Sequence, residues 1–398
     1  MTGPRYVQRL TMLIFFLQPI AFGSWLPRIP DIQGFLGLGP AALAFALLGL
    51  PCGTLLTLPF AGPLVEKLGA RRAIWLGFIF YCVAISLPGF STSVPFLFGA
   101  LLLTGSSMSF LELGLNVKAD RVEKATGDGI MSRSHGFWSL GIMAGSIIGS
   151  VLAGVGVPPQ WAIMGVSILT LPFALLTAGK LPDYGRRPAS PSVTRTSRWR
   201  MPDWALIGIS LFVFGITMTE GAIADWSAVF LRTIFSASPA EAGLGYSVFA
   251  LMVASGRFGG DYLRKRFGAV ALARVCGVLA IVGVATLLAA PTSVVALVGF
   301  AVVGLGVSVG FPLAVTAAAA LTGRASSTNL AVLSFIALLG FLVGPPVIGF
   351  IAEHVEMRLG LAALVPFLVI SLLLTGRLSP KPQHPLEENP ESRVPGVL

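Results

Sequence analysis

Charge is scarce in this 398-residue chain: Asp, Glu, Lys and Arg make up 11% of its residues, whereas 55% are hydrophobic. Soluble domains carry about 25% charged residues. So few charged side chains cannot cover a globule of this size with polar surface, and most of the surface must therefore face lipid. The composition excludes a soluble protein and indicates an integral membrane protein.

Cysteine and histidine are also scarce. The three cysteines lie inside apolar runs and form no C-x-x-C pair, which argues against a disulfide framework. The three histidines show no metal-ligand spacing, so we expect no metal site. The phosphate-binding sequence G-x-x-x-x-G-K-[ST] does not occur, so we expect no ATP and no other cofactor. Aromatic residues lie in apolar runs rather than among basic residues, and no nucleic-acid partner is expected.

Long apolar runs are abundant. A membrane-spanning helix needs about 20 mostly apolar residues, and the sequence predicts an all-α membrane protein with twelve such spans. They are 8–27, 41–61, 73–90, 94–117, 135–157, 160–179, 204–231, 241–259, 269–289, 293–319, 328–351 and 358–376. We expect two six-helix bundles, residues 1–180 and 204–378, joined by a cytoplasmic linker at 181–203 that is rich in Pro, Ser and Arg. Residues 379–398 are expected to be a disordered cytoplasmic tail.

The basic residues favour one side of the predicted membrane. All but three of the 27 Lys and Arg residues fall on the side of the N-terminus, the exceptions being Arg28, Arg232 and Arg358. Basic loops remain in the cytoplasm. The asymmetry therefore predicts a multi-pass protein of the bacterial inner membrane with both termini in the cytoplasm.

A short charged motif follows the second span and recurs about 195 residues later. Its residues are Gly62, Glu66, Gly69, Arg71 and Arg72 in the first copy, and Arg257, Asp261 and Arg264 in the second. The acids could pair with Arg or with a helix N-terminus in one conformation and separate in another, which would make the motif a conformational gate. The spacing of Arg257 and Asp261 permits a pair within one helix. Alternatively, the basic residues serve only to set the topology.

Two six-span halves, a long central loop and this motif in each half resemble the major facilitator superfamily over nearly the whole chain. In that family an Asp usually stands at the position of Glu66. Further segments resemble a bacterial subgroup that includes YbjJ-like inner-membrane proteins and the rhizopine-transport protein MosC, with fucose permeases as more distant relatives. These segments are GLNV (114–117), SHGFWSLG (134–141), EGAIADWSAVFL (220–231) and GFLVGPPVIG (340–349). The resemblance implies a transporter, not an enzyme, that moves a small-molecule solute across the lipid bilayer by alternating access. We expect a monomer.

Polar residues within the spans are candidates for function because burying them in a membrane is costly. Glu112 and Asn116 lie one turn apart on the same face of the fourth span. A carboxylate and a carboxamide suit the hydroxyl groups of a sugar-like or polyol solute. The same two residues could instead tie this span to a neighbouring helix.

Two further carboxylates lie in the seventh span. Glu220 is near its middle and is the first candidate for proton coupling, because a buried carboxylate can take up a proton on one side of the membrane and release it on the other; Glu112 and Asp225 are the others. Alternatively, Glu220 belongs to an internal pair. We expect Asp225 to be structural, pairing with Arg28 or Arg232 at the outer end.

Two tryptophans occupy matching positions in the halves. Trp25 and Trp226 could face a central cavity and stack on the solute, or could anchor the helices at the membrane interface. His135, at the cytoplasmic start of the fifth span, could respond to pH or could be an ordinary interface histidine.

The pattern as a whole predicts a proton-coupled symporter for a small polar solute, with sodium as an alternative ion. An exporter of drugs or apolar metabolites is the first alternative. A membrane-embedded sensor or enzyme is disfavoured, because the chain shows no appended signalling domain and no cluster of catalytic residues.

Overall fold

The computed structural model describes residues 3–182, 202–321 and 326–379. These residues form twelve long helices in two bundles, as expected. The first bundle contains α1 (Pro4–Leu36), α2 (Pro40–Leu68), α3 (Ala70–Phe90), α4 (Val94–Thr126), α5 (Met131–Gly154) and α6 (Pro159–Lys180). The second contains α7 (Trp204–Phe235), α8 (Pro239–Phe267), α9 (Ala269–Ala289), α10 (Ser293–Ala319), α11 (Ser326–His354) and α12 (Met357–Leu378). Residues 183–201 and 380–398, which hold almost all of the expected linker and tail, lie outside the described residues.

The helix starts follow from local sequence. Proline lies in the first turn of α2, α4, α6 and α8, where its missing N–H leaves no hydrogen bond unmade. Ser93 accepts a hydrogen bond from the backbone N–H of Phe96 and so caps α4. Ser238 and Glu241 form a reciprocal capping box at the start of α8. Each of these signals places a helix end where the apolar pattern alone is ambiguous.

Eleven of the twelve helices are long and apolar enough to cross a membrane, and α8 is the one that is not. Its inward face is made of small residues, and Arg264, Lys265 and Arg266 crowd its last turn. It packs against α5, α7 and α10 on one face, while apolar side chains such as Leu251 and Phe258 on its other face are exposed. The small residues of its packed face and the charged residues of its last turn together lower its mean hydropathy.

Small residues let α5 touch both bundles. On one face, a side chain at Gly145 would collide with the backbone of Ile20 in α1, which fixes α5 within the first bundle. On another face, Ser146 donates a hydrogen bond to the carbonyl oxygen of Gly243 in α8 and accepts one from the Ser247 hydroxyl. Close backbone approach replaces the hydrophobic effect as the source of helix packing in lipid.

The two copies of the charged motif occupy equivalent turns, between α2 and α3 and between α8 and α9. Gly69 and Gly268 form these turns with φ of 81° and 83°. We call this end of the bundles the basic end and the opposite end the far end. Around the turns, Glu66 and Asp261 are exposed, and Arg71 donates to the carbonyl oxygen of Gly179 at the end of α6 (2.6 Å).

The remaining motif residues also stay at the basic end. Gly62 lies within α2 with open space around it, and Arg72 is exposed. Arg264 donates to the hydroxyl of Thr316 in α10 (3.2 Å). Thus Arg71 and Arg264 each bind a helix of their own bundle in this conformation.

Replacing either turn glycine with alanine is expected to destabilise the protein by about 1–3 kcal/mol, because a side chain makes this positive-φ conformation unfavourable. Gly69→Ala and Gly268→Ala should both lower the melting temperature of the purified protein. Gly99→Ala is the matched control, since Gly99 lies inside α4 with no atom near its missing side chain. An unchanged melting temperature in both turn variants would contradict this account.

Candidate functional site

A cavity of about 410 Å³ lies between the two bundles. Helices α1, α2, α4 and α5 of the first bundle and α7, α8, α10 and α11 of the second contribute to its wall. The lining residues Leu58 and Ser334, on the half nearer the basic end, are exposed. The cavity is therefore accessible from the basic end.

At the far end, the two bundles are joined. Asp31 of α1 binds Arg28 of its own helix (2.8 Å) and lies 3.8 Å from Arg232 of α7. The Glu353 carboxylate of α11 accepts a hydrogen bond from the backbone N–H of Ala41 in the first turn of α2 (3.2 Å), where the helix dipole favours a negative charge. These contacts separate the cavity from the far side.

The structure corrects the expected pairing of Asp225 with Arg28 or Arg232. Arg28 and Arg232 are paired with Asp31, not with Asp225. Asp225 instead lines the cavity. The sequence contained the signal for the observed pair, because Asp31 follows Arg28 at the i, i+3 spacing that brings side chains together on a helix.

The three basic residues that lie away from the basic end all bind other groups of the protein. Besides Arg28 and Arg232, Arg358 donates to the carbonyl oxygens of Leu288 (2.5 Å) and Ala290 (2.8 Å) and so caps the end of α9. Each far-end arginine therefore has a structural partner that explains its position.

Arg257 is the centre of a polar network inside the cavity. Its guanidinium binds the Glu220 carboxylate of α7 at 3.2 Å and donates to the Ser139 hydroxyl of α5 at 2.9 Å. Its Nε donates to the carbonyl oxygen of Ser308 at 3.4 Å, where α10 is interrupted between Val307 and Gly310. The network joins three helices of the second bundle to one of the first.

This placement differs from the expected pairing of Arg257 with Asp261. Although the two residues are one turn apart, Arg257 points into the cavity and Asp261 is exposed. The buried Glu220 carboxylate needs a counter-charge more than an exposed one does. Of the two alternatives for Glu220, the internal pair is present in this conformation.

Glu112 and Asn116 line the cavity from α4. The Oδ1 atom of Asn116 is buried and has no hydrogen-bond partner. Neither side chain ties α4 to a neighbouring helix through a hydrogen bond or ion pair in the described part of the chain. In this conformation, neither side chain is thus held by a neighbouring helix that the structure describes.

The two tryptophans differ in position. Trp25 lines the cavity. Trp226 is fully buried, packs near Gly349 of α11 and is not part of the cavity wall. Neither anchors a helix at the membrane interface, since both side chains are at most 1% exposed. His135 lies outside the cavity wall, with its ring edge-on to Phe15 at 5.4 Å.

Two functional candidates escaped sequence reasoning. Ser139 receives a hydrogen bond from Arg257 across the bundle interface, and Tyr246 lines the cavity from α8. Neither residue belongs to a sequence motif, because Ser139 is one of many small residues in α5 and Tyr246 is an isolated tyrosine. Their roles depend on helix packing.

The described residues contain no group of His, Cys, Asp or Glu arranged to hold a metal ion. The chemistry available in the cavity is thus that of carboxylates, one guanidinium, hydroxyl groups and aromatic rings. Such groups bind and release protons and organic solutes.

Comparison with known proteins agrees with this architecture. Residues 11–230 and 205–396 match the Major Facilitator Superfamily. The chain is 33% identical over 359 residues to an uncharacterised MFS-type transporter of Yersinia pestis, covering 89% of this chain and 92% of the relative. It is 30% identical over 362 residues to the membrane protein MosC of Rhizobium meliloti, covering 89% and 86%. An inward-facing, unoccupied structure of a bacterial homologue of the human lysosomal transporter Spinster superposes with a TM-score of 0.70 at 17% identity, covering 94% and 97%. The chain belongs to the major facilitator superfamily, a family of membrane transporters rather than enzymes.

Proposed function

We propose that this protein is a secondary active transporter that moves a small polar solute by alternating access and couples this movement to protons. The observation that carries the proposal is the Glu220–Arg257–Ser139 network, which lies in the cavity and crosses from one bundle to the other. In the proposed orientation, the basic end faces the cytoplasm of a bacterial inner membrane.

The network supplies a physical link between a proton and the bundle interface. A proton on Glu220 removes the negative charge that holds Arg257. The guanidinium then loses the carboxylate that it is paired with, which favours a conformation in which water or another group reaches it. Because Arg257 also binds Ser139 of the first bundle, the change at Glu220 acts on the contact between the bundles.

The contacts at the far end must also break during the proposed transport cycle. Opening toward the far side requires Asp31 to leave Arg232 and Glu353 to leave the start of α2. Both contacts are between ends of helices rather than within the packed core, so rigid bundles can rock around the central site while these contacts break.

The test is transport by the purified protein in liposomes that contain a pH-sensitive dye. Sugars, inositols, amino acids and cationic drugs are added in turn under an imposed pH gradient. We expect at least one polar solute to move protons and to accumulate. Glu220→Gln should abolish proton movement and accumulation but preserve exchange of solute between the two sides. Full accumulation by Glu220→Gln would remove the proposed coupling role.

An exporter of apolar compounds is a second candidate, favoured by the aromatic residues in the wall. Phe22, Trp138, Phe249, Phe311 and Phe341 all line the cavity. In the liposome experiment, this candidate predicts proton movement with the cationic drugs and none with the sugars or inositols.

Asn116→Ala is expected to lower solute affinity by about tenfold without lowering stability. The Oδ1 atom has no partner among the described residues, so its removal breaks no hydrogen bond to that atom, whereas a bound solute would lose one bond, worth about 1 kcal/mol or more. The measurement is the solute dissociation constant beside the melting temperature. Normal affinity in a stable variant would make Asn116 a packing residue.

A further inference from the structure

The polar groups that the cavity leaves free are mainly acceptors. Glu112 of the first bundle and Asp225 of the second both line it. Neither has an ion pair or a hydrogen bond among the residues that the structure describes. The Oδ1 atom of Asn116 is a third acceptor, buried and without a donor.

Positive charge does not balance these groups. Arg257 is the one cation in the described cavity wall, and Glu220 neutralises it at 3.2 Å. Each of its three nitrogens already donates a hydrogen bond, to Glu220, Ser139 and Ser308. Two carboxylates therefore remain in excess, in a space where an uncompensated charge is costly.

The aromatic wall suits the same kind of ligand. Trp25 and Trp138 of the first bundle and Tyr246 of the second face the same cavity as the free carboxylates. The faces of such rings attract cations as well as apolar groups. A volume of about 410 Å³ admits a small organic molecule, within the range of typical ligand pockets.

We infer that the transported solute is a small organic cation with a protonated amine, whose ammonium group donates hydrogen bonds to Glu112 and to Asn116 while its carbon skeleton lies against the aromatic wall. Glu112 and Asn116 lie one turn apart on α4, so one ammonium group can reach both. The inference rests on the proposed transport function and specifies its substrate class.

The test compares molecules of nearly equal shape that differ in charge. Aminocyclohexanol and cyclohexanediol are titrated into the purified protein by calorimetry, and tetraphenylphosphonium serves as a cation without an N–H donor. A parallel titration in sodium chloride instead of potassium chloride tests whether sodium ions bind. A hydrogen bond to a charged group is worth about 1.5–3 kcal/mol, so the amine should bind about 10- to 100-fold more tightly than the diol. Glu112→Gln should remove that preference.

Asp120→Asn is the matched control, because it makes the same change from carboxylate to amide on the same helix. Asp120 is exposed and binds Lys124 at 2.6 Å, away from the cavity; this variant should bind the amine normally. If Glu112→Gln does not fold, Asn116→Ala replaces it and should weaken amine binding more than diol binding.

Four results would overturn the inference: equal binding of the amine and the diol, amine binding unchanged in Glu112→Gln, binding of tetraphenylphosphonium or sodium but not of the amine, and no binding of the amine. None of these affects the proposed function, which fails if no polar solute moves protons in the liposome experiment or if Glu220→Gln still accumulates solute fully.

Discussion

Glu220→Gln is expected to destabilise the protein by about 3 kcal/mol, and the double variant Glu220→Gln/Arg257→Gln to be within about 1 kcal/mol of the original. Removing one partner of a buried ion pair leaves an uncompensated charge, whereas removing both leaves none. The estimate is at the lower end of the usual range because the Glu220 and Arg257 side chains are 17% and 14% exposed.

The variant Arg257→Gln should lose less stability than Glu220→Gln. In Arg257→Gln, the Glu220 carboxyl group can take a proton and become neutral, whereas a guanidinium keeps its proton at any physiological pH. The order of stability is therefore expected to be original, double variant, Arg257→Gln and last Glu220→Gln. Denaturant titrations of the purified protein measure it.

Ser139→Ala measures the hydrogen bond between Arg257 and Ser139 apart from the ion pair between Arg257 and Glu220. It removes one hydrogen bond to Arg257 and leaves Glu220 in place, so a loss of about 1 kcal/mol is expected. If Glu220→Gln cost no more than Ser139→Ala, the pair would not be an important electrostatic element of the cavity.

Gly243→Leu is expected to slow transport by about fivefold or more by preventing closure of the far end. A side chain at Gly243 of α8 would meet Ser150 of α5 and would lie 2.6 Å from the Cβ atom of Pro27 in α1. All these neighbours belong to the other bundle, so the collision exists only while the far end is closed. Overpacking of about 1–3 kcal/mol shifts a two-state equilibrium by about 5- to 150-fold.

The matched control for this variant is Gly259→Leu in the same helix. The nearest atom to a side chain at Gly259 is 4.0 Å away, in Leu263, so the change in helix propensity is the same but the collision is absent. A cysteine placed at Ala224 in the cavity wall reports which side is open. Faster labelling from the far side in Gly243→Leu, but not in Gly259→Leu, is expected. Equal labelling would show that the α5–α8 contact does not close the far end.

Much of the fold could be predicted because lipid imposes a simple rule on sequence. Twelve apolar runs became twelve helices, and the turn glycines at positions 69 and 268 stand in the two copies of one motif. Among the twelve helices, α8 alone is not apolar enough to count as a span by hydropathy, because small residues form its packed face and charged residues crowd its last turn. Hydropathy reports contact with lipid and says little about contact with protein.

The candidate site was only partly predictable. Glu112, Asn116, Glu220 and Asp225 stand out in sequence as polar residues in apolar spans, and all four line the cavity. The partner of Glu220, Arg257, did not stand out. Spacing rules detect neighbours on one helix, and they suggested Asp261 for Arg257, whereas the observed partners are 37 and 118 residues away in sequence.

The sequence by itself determined that this protein is an all-α membrane protein of two similar halves with a few costly polar residues in its spans, because insertion into lipid selects length, hydropathy and the side on which basic residues lie. The tertiary structure alone decided which charges meet. It paired Arg257 with Glu220, and Arg28 and Arg232 with Asp31, and among the residues that the structure describes it left Glu112 and Asp225 without a cation. The reason is that charge pairing within a membrane depends on how helices distant in sequence pack together, which no local pattern records.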